Sequence, residues 1–150
     1  MITIERASSE HLREVVPLFE KYRAFYRCDP AQERAESFLR ERLEKGESVI
    51  FVARDVASAP AKAVGFVQLY PLFSSTAMKR LWLLNDLFVE ESQRGVGIGE
   101  RLIVAGTELA RSTQARGLFL ETEPSNQRAH RLYEKMGFEL VGNLFYGLEL

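Results

Sequence analysis

Hydrophobic and polar positions follow two different periods along the chain, and together they predict a mixture of strands and helices. Residues 2–6 alternate as a short strand does. Two helices should follow, because apolar side chains recur at three- and four-residue spacing: Leu12, Val15, Val16, Phe19, Tyr22 and Tyr26, then Phe38, Leu39 and Leu43. Three strand-like runs cover residues 48–89, and a turn at residues 56–62 makes the first two a hairpin.

The second half of the chain continues this alternation. A helix is predicted with Ile98, Leu102, Ala105 and Leu109 on one face, then a strand at residues 117–122 and a short helix that ends at Gly137. Residues 139–142 and 144–150 are predicted as two closing strands. The order is β-α-α-β-β-β-α-β-α-β-β, an α/β (α+β) fold, and a length of 150 residues indicates one domain over residues 1–150.

Composition and charge narrow the choice of partners. The formal net charge of −1 at pH 7 gives no general attraction to nucleic acid or to an anionic membrane. No apolar run approaches the roughly 20 residues that span a bilayer, and the first residues lack a secretory signal pattern. The single cysteine, Cys28, has no partner for an internal disulfide, so we expect a cytoplasmic protein. His11 and His130 lack ligand spacing, so no metal is expected.

A glycine-rich stretch lies between the third strand of this run and the next helix. Gly95, Gly97 and Gly99 alternate behind Arg94. The N-terminus of a helix offers free backbone N–H groups and a partial positive charge, and glycines let a bulky anion approach them. The placement therefore predicts a phosphate-binding loop. A flexible loop that is glycine-rich without a ligand remains the alternative.

The type of phosphate ligand is only partly defined by this stretch. A mononucleotide-binding loop would end in glycine, lysine and serine or threonine, and no such ending is present. The spacing G-x-G-x-G departs from the dinucleotide fingerprint, and two helices and a hairpin precede it. Glu121 and Glu123 do lie about 20 residues further on, where a ribose-binding acid is expected, so dinucleotide binding stays a minor alternative.

Two motifs resemble those of the GNAT superfamily of N-acyltransferases. The run "RGVGIG" is similar to the acyl-CoA loop of that family, with Arg94, Gly97 and Gly99 at its defining positions. The run "NQRAHRLYEKMGF" is similar to the family's second signature, about 30 residues later. The order of strands and helices also matches. The resemblance implies a GNAT-like fold with four helices and a central mixed, mostly antiparallel, twisted sheet of about seven strands.

The resemblance implies acetyl-CoA as cosubstrate and a set of residues that would hold it. Arg94 and the loop N–H groups would anchor the pyrophosphate, and the exposed edge of the third strand in the run would pair with the pantetheine amides. Asn126 would bond coenzyme A, although its residue type also suits a helix cap. The full expected set is Leu87, Phe88, Val89, Arg94, Gly95, Val96, Gly97, Ile98, Gly99, Glu100, Asn126 and Tyr133.

Two groups are implied to act on the acyl transfer itself. The backbone N–H of Leu87 is the family-based donor for the developing oxyanion. Tyr133 is the candidate acid for the departing thiolate, because a phenol with a pKa near 10 keeps its proton at neutral pH. From its pattern alone, Tyr133 is better explained as a half-buried core aromatic beside Leu132 and Met136.

The acceptor end is predicted from polar residues in an apolar strand. Asp86 would hold an ammonium group or relay its proton, with Asn85 orienting water and Glu121 adding a second carboxylate. Asp86 facing water at an edge or bulge is the alternative. Tyr26 belongs to "YRAFY" with Tyr22 and Phe25, where family members place an acceptor wall, although Tyr22 is better explained as core.

These residues predict an acetyl-CoA-dependent N-acetyltransferase that acts on a small cationic primary amine by direct transfer in a ternary complex. Residues 70–89 resemble the diamine and thialysine acetyltransferase branch, which commonly has glutamate where Asn85 stands. A protein N-terminal or lysine acetyltransferase, and a coenzyme A-binding regulatory module without turnover, remain alternatives. We expect a homodimer.

Overall fold

The computed structural model describes all 150 residues and has a five-stranded sheet at its centre. The strands are β1 (Ile2–Arg6), β2 (Val49–Asp55), β3 (Lys62–Ser74), β4 (Lys79–Val89) and β5 (Leu118–Phe119), and they are adjacent in that order. The first four pair antiparallel, and β5 pairs parallel to β4. The sheet is therefore mixed and mostly antiparallel.

Four helices cover the sheet, as the sequence pattern predicted. They are α1 (Leu12–Phe25), α2 (Gln32–Glu44), α3 (Ile98–Ser112) and α4 (Gln127–Lys135). No helix combines the length and the apolar character that crossing a membrane would require.

The two faces of the sheet carry separate apolar cores. Ile50 and Val52 of β2 pack with α1 and α2, whereas their neighbours Val49 and Ala53 pack with α3. This division follows from the two-residue period of a strand, which sends successive side chains to opposite faces. Because both faces are covered, the central strands are apolar at nearly every position.

The sequence analysis was wrong about the number of strands. Residues 139–142 and 144–150, predicted as two closing strands, form no strand, so the sheet has five strands rather than about seven. A strand needs a neighbour for its backbone groups. Beyond Phe138 no backbone group of the chain takes part in a backbone–backbone hydrogen bond. The alternating pattern was present in the sequence, but these residues pair with no strand of the sheet.

A gap opens between β4 and β5. Their ladder holds only two residue pairs, Trp82 with Leu118 and Leu83 with Phe119. Past Leu83 the two strands diverge, so residues 84–89 have β3 as their only neighbouring strand. This divergence creates the space for the site described next.

Candidate active site

A cleft of about 290 Å³ lies where β4 and β5 diverge. Its walls come from β4, the glycine-rich loop before α3, the first turns of α4 and the end of α1. The lining residues are Tyr22, Phe25, Tyr26, Leu84, Asn85, Leu87, Phe88, Val89, Gln93, Arg94, Gly95, Gly97, Ile98, Gly99, Glu100, Glu121, Thr122, Asn126, Arg128, Ala129, Leu132 and Tyr133. Half of them are apolar, as is usual for a small-molecule site.

The glycine-rich loop forms one end of this cleft. Gly95 and Gly97 have φ values of 86° and 83°, in the left-handed region that glycine adopts without steric cost. Gly97 is the N-cap of α3, so the free N–H groups of the first turn follow it directly. A Cβ added at either glycine would meet no atom within 4 Å. The glycines are therefore required by backbone conformation, and the space beside them is open to a ligand.

Arg94 is held at the mouth of the cleft by two contacts. Its Nε donates a hydrogen bond to the Val89 carbonyl oxygen at 2.8 Å, and its guanidinium carbon lies 5.7 Å from the centre of the Phe88 ring. None of the ion pairs of the chain includes Arg94. An anchored but unpaired guanidinium beside a helix N-terminus is a suitable partner for a phosphate group.

Asn126 and Tyr133 approach the cleft from α4. The Asn126 Oδ1 accepts a hydrogen bond from the Ala129 N–H at 3.2 Å, so its predicted capping role is confirmed. The Tyr133 ring packs edge-on against Phe138 at a centroid distance of 5.7 Å. Burial raises the pKa of Tyr133 to about 12, and the nearby phenol of Tyr26 adds to that effect. The phenol therefore keeps its proton at every physiological pH.

The opposite end of the cleft is aromatic. The rings of Tyr22 and Tyr26 meet edge-on at 5.0 Å, and Phe25 packs against Tyr26 at 5.1 Å. The Tyr22 hydroxyl donates to the Asn85 carbonyl oxygen at 3.1 Å, which ties α1 to β4. Glu121 lies on the wall past β5 and brings a carboxylate to the same cleft. Its neighbour Glu123 is already paired with Arg27.

Asp86 lies behind the cleft wall rather than in it. A register shift between Gln68 and Leu69 leaves Asn85 opposite no residue of β3, so Asn85 is exposed to the cleft while Asp86 is 2% exposed. Asp86 Oδ1 accepts from the Asn85 Nδ2 at 2.9 Å, and Oδ2 accepts from the Gln68 amide. Burial raises the pKa of Asp86, and the hydrogen bonds from Gln68 and Asn85 oppose that shift.

The structure brings most of the predicted site residues into one cleft. Asp86 and Val96 are the two that do not line it, and Val96 is 69% exposed. Sequence reasoning did not select Gln93, Thr122, Arg128, Ala129 and Leu132, and it favoured a core position for Tyr22. Arg128 follows the Asn126 cap by two residues, so its position in the first turn of α4 was the signal available for it. No group of three or more His, Cys, Asp or Glu side chains is arranged to hold a metal ion.

Comparison with known proteins agrees with this architecture. Residues 15–138 match the acetyltransferase (GNAT) family. An uncharacterized N-acetyltransferase, YhfO of Bacillus subtilis, is 43% identical over 92% of this chain and 90% of its own length. A probable acetyltransferase of Haemophilus influenzae is 34% identical over 90% of this chain and 88% of its own length.

Solved structures share the fold. The crystal structure of a probable acetyltransferase is 38% identical, with a TM-score of 0.91 over 99% of this chain and 97% of that chain. The aminoglycoside N-acetyltransferase AAC(6')-Iy, solved in complex with CoA, has the same fold at 20% identity, with a TM-score of 0.81 over 99% of this chain and 95% of that chain. The chain therefore belongs to the GNAT family of acetyltransferases.

Proposed function

We propose that this protein transfers an acetyl group from acetyl-CoA to the primary amine of a small cationic acceptor, directly within a ternary complex. The observation that carries the proposal is one continuous cleft. It runs from the glycine loop at the N-terminus of α3, past Tyr133, to an aromatic end with Asn85 and Glu121. A phosphate-binding end, a proton donor and a polar acceptor end thus lie in the order that an acyl transfer requires.

The cofactor end would hold the coenzyme A portion. The N–H groups from Gly95 to Glu100 and the Arg94 guanidinium would bind the pyrophosphate, because the loop has open space where side chains would otherwise stand. Residues 87–89 of β4 have no strand partner on the cleft side. Apart from the Val89 carbonyl oxygen, which accepts from Arg94, their backbone groups on that side are therefore open to the amides of the pantetheine arm. Asn126 lies on the facing wall. Acetyl-CoA would supply the activated thioester.

Two groups near the middle of the cleft would assist the transfer. The Leu87 N–H would donate to the carbonyl oxygen as negative charge develops on it. Tyr133, whose raised pKa keeps it neutral, would donate a proton to the departing sulfur. No covalent acyl-enzyme is invoked, since Cys28 is exposed and does not line the cleft. A free exposed thiol suits a reducing compartment, so we place the reaction in the cytoplasm.

The acceptor end would bind an ammonium group through Asn85 and Glu121, with Tyr26 as an aromatic wall. Asp86 would act through Asn85. Because the Asn85 Nδ2 donates to Asp86, the Asn85 Oδ1 is left as the acceptor on the cleft side. A buried carboxylate with a raised pKa is also a better proton acceptor than a free aspartate, so it could take the amine proton through Asn85-bound water. Substrates of the diamine or thialysine type fit this chemistry.

The test is thiol release from acetyl-CoA over a panel of diamines, thialysine, amino acids, aminoglycosides and lysine peptides. We expect a diamine or another compact cation to be the best acceptor. Glu121→Gln should raise its KM while leaving the Kd of coenzyme A unchanged, and Glu123→Gln, whose carboxylate is already paired with Arg27, is the matched control. Release with peptides alone would replace the proposal with protein acetylation, and tight coenzyme A binding without release over the whole panel would indicate a regulatory module.

A further inference from the structure

A second cavity, of about 410 Å³, lies at the end of the sheet opposite the cleft. Its walls are the end of β1 with the residues that follow it, the C-terminal ends of α2 and α3, and the starts of β2 and β4. No residue lines both cavities. Its volume is that of a small-molecule site, and a ligand bound there would not enter the cleft.

Ser48, which directly precedes β2, has polar groups that the chain leaves unpaired. The residue lies on the wall of the second cavity and is 4% exposed. Its Oγ has no hydrogen-bond partner, and no backbone–backbone hydrogen bond of the chain involves its N–H or its carbonyl oxygen. Buried polar groups without partners cost free energy, and the great majority in native proteins are paired. A polar molecule in the cavity would supply the missing partner.

Arg80, on the same wall, is a cation held in place by aromatic rings. Its guanidinium carbon lies 5.0 Å from the centre of the Phe73 ring and 5.3 Å from that of Trp82. The indole is itself fixed, because its Nε1 donates a hydrogen bond to the Thr113 Oγ1 at 2.8 Å. Stacking uses the faces of a guanidinium and leaves its N–H edges free. Arg80 is therefore prepared to bind an anion at those edges.

The other charged groups of the wall define which anion fits. Arg6 adds a second cation and Glu44 adds one carboxylate, and these three are the only ionisable side chains that line the cavity. None of the ion pairs of the chain includes Arg6, Glu44 or Arg80. Two arginines against one glutamate favour a ligand with a single negative charge over a dianion such as phosphate. A planar carboxylate also matches the two parallel N–H groups of a guanidinium.

We propose that this cavity is a second binding site, which takes a small organic carboxylate with a compact apolar body. The carboxylate would lie against Arg80 and Ser48. The apolar body would contact Trp82 and Leu109, which belong to the apolar part of the wall. This site is independent of the function proposed for the cleft, because the two cavities share no residue.

Trp82 makes the proposal measurable, because it lines the cavity and is the only tryptophan of the chain. Its fluorescence is titrated with butyrate in a buffer that contains no other carboxylate and no phosphate. We expect saturation with a Kd on the order of 1 mM. Butyramide, which has nearly the same shape without the charge, and inorganic phosphate should each bind about tenfold more weakly or worse. No saturable response to butyrate, or butyramide or phosphate binding as tightly as butyrate, would overturn the proposal.

Two substitutions test the groups assigned to the carboxylate. Arg80→Gln should weaken butyrate binding about tenfold or more, because a charged donor is lost. Ser48→Ala should weaken it about threefold, because a neutral hydrogen bond is lost. Arg116→Gln is the matched control and should leave the Kd unchanged, because this arginine is exposed and lines neither cavity.

The Kd of butyrate is also measured from the chemical shifts of backbone amides, because Arg80→Gln removes a group stacked on Trp82 and changes the fluorescence itself. Arg6→Gln, at an exposed position where folding is not at risk, should weaken binding about threefold. Saturating coenzyme A should leave butyrate binding unchanged. If neither Arg80→Gln nor Arg6→Gln changes the Kd, or if coenzyme A displaces butyrate, the carboxylate does not bind in this cavity and the proposal is wrong.

Discussion

Residues 1–110 and residues 111–150 differ sharply in how well their apolar side chains are buried. All 28 buried residues of the chain lie in the first region, where the sheet carries α1 and α2 on one face and α3 on the other. The second region contains β5, α4 and the tail, and it has no buried residue. Yet α4 has a strongly amphipathic sequence, and its apolar residues Leu132 and Tyr133 are only partly buried.

The cleft takes one wall from each region. The glycine loop belongs to the closed region, and α3 behind it is anchored by Ile98 and Leu102, both nearly inaccessible to water. Asn126, Tyr133 and Glu121 belong to the open region. The glycine-loop end is thus fixed by a complete core, whereas the wall that carries Tyr133 and Glu121 depends on the packing of α4 and β5.

The largest expected effect of this difference in burial is on the free energy of unfolding. Leu102→Ala empties a site that is 0% exposed, so it should cost about 2–5 kcal/mol. Leu132→Ala, its counterpart on α4, should cost less than half as much, because its side chain is only partly buried. Urea unfolding of both variants at one protein concentration measures this. Equal losses would mean that the open region is as well packed as the closed one.

At the closed wall, Gly97→Val should weaken coenzyme A binding on the order of a hundredfold, or about 2.7 kcal/mol. The valine side chain would enter the open space beside the loop and would also strain the backbone. Gly46→Val is the matched control, because Gly46 has a φ of 65°, open space around it and a position away from the cleft. Calorimetry that finds the same affinity in both variants would remove the loop from the binding site.

The comparison also shows what could be predicted from sequence. The four helices and β1–β4 were correct, because their apolar periods match partners within the same chain. The tail carries an equally clear strand pattern at Leu144, Tyr146 and Leu148, but no strand forms there. A periodic pattern indicates which face of a segment is apolar and needs to be buried. It does not indicate whether the same chain supplies the surface that buries it.

The position of Asp86 behind the cleft wall was not predicted, for a related reason. The glycine loop, Asn126 and Tyr133 were predicted as site residues, and they line the cleft. Each belongs to a motif of contiguous residues that can be recognised in the sequence. The orientation of Asp86 depends on a bulge in the β3–β4 pairing, and a shift of one residue exchanges the two faces of a strand. No local sequence pattern predicts such a shift. Because of the shift, Asn85 rather than Asp86 lines the cleft.

On the open wall, Tyr133→Phe should lower kcat by about tenfold to a hundredfold while the Kd of coenzyme A stays the same. The ring keeps its packing against Phe138, and only the proton donor is lost. The control is Tyr70→Phe, because Tyr70 is a half-buried tyrosine of β3 with a raised pKa that lies outside the cleft. Since the pKa of Tyr133 is about 12, the loss should be constant from pH 6 to 9. Full activity of Tyr133→Phe over that range would assign Tyr133 to packing alone.

The smallest expected effect concerns Asp86, the ionisable group inside the closed region. Its raised pKa means that the folded state holds the proton more tightly than the unfolded state, whose aspartate has a pKa near 3.9. The natural protein should therefore lose stability as pH rises from that value through the raised one, by about 1.4 kcal/mol for each unit of difference, and then stay level. Asp86→Asn removes this loss. The Gln68 amide can turn to accept from the new Nδ2, because its Oε1 has no partner at present.

Asp55→Asn is the matched control for Asp86→Asn, with the opposite sign. Hydrogen bonds from Ser58 and the Ala57 N–H lower the pKa of Asp55. Its contribution to stability is therefore present above the unfolded pKa and is lost as pH falls through the folded value, so Asp55→Asn should destabilise most at neutral pH. Urea midpoints should be measured from pH 3 to 8. As pH rises, the midpoint of Asp86→Asn should increase relative to that of the natural protein, and the midpoint of Asp55→Asn should decrease relative to it. Parallel curves for Asp86→Asn and the natural protein would mean that Asp86 has the same pKa in the folded and unfolded states, and that the closed region holds an ionised carboxylate in its interior at neutral pH.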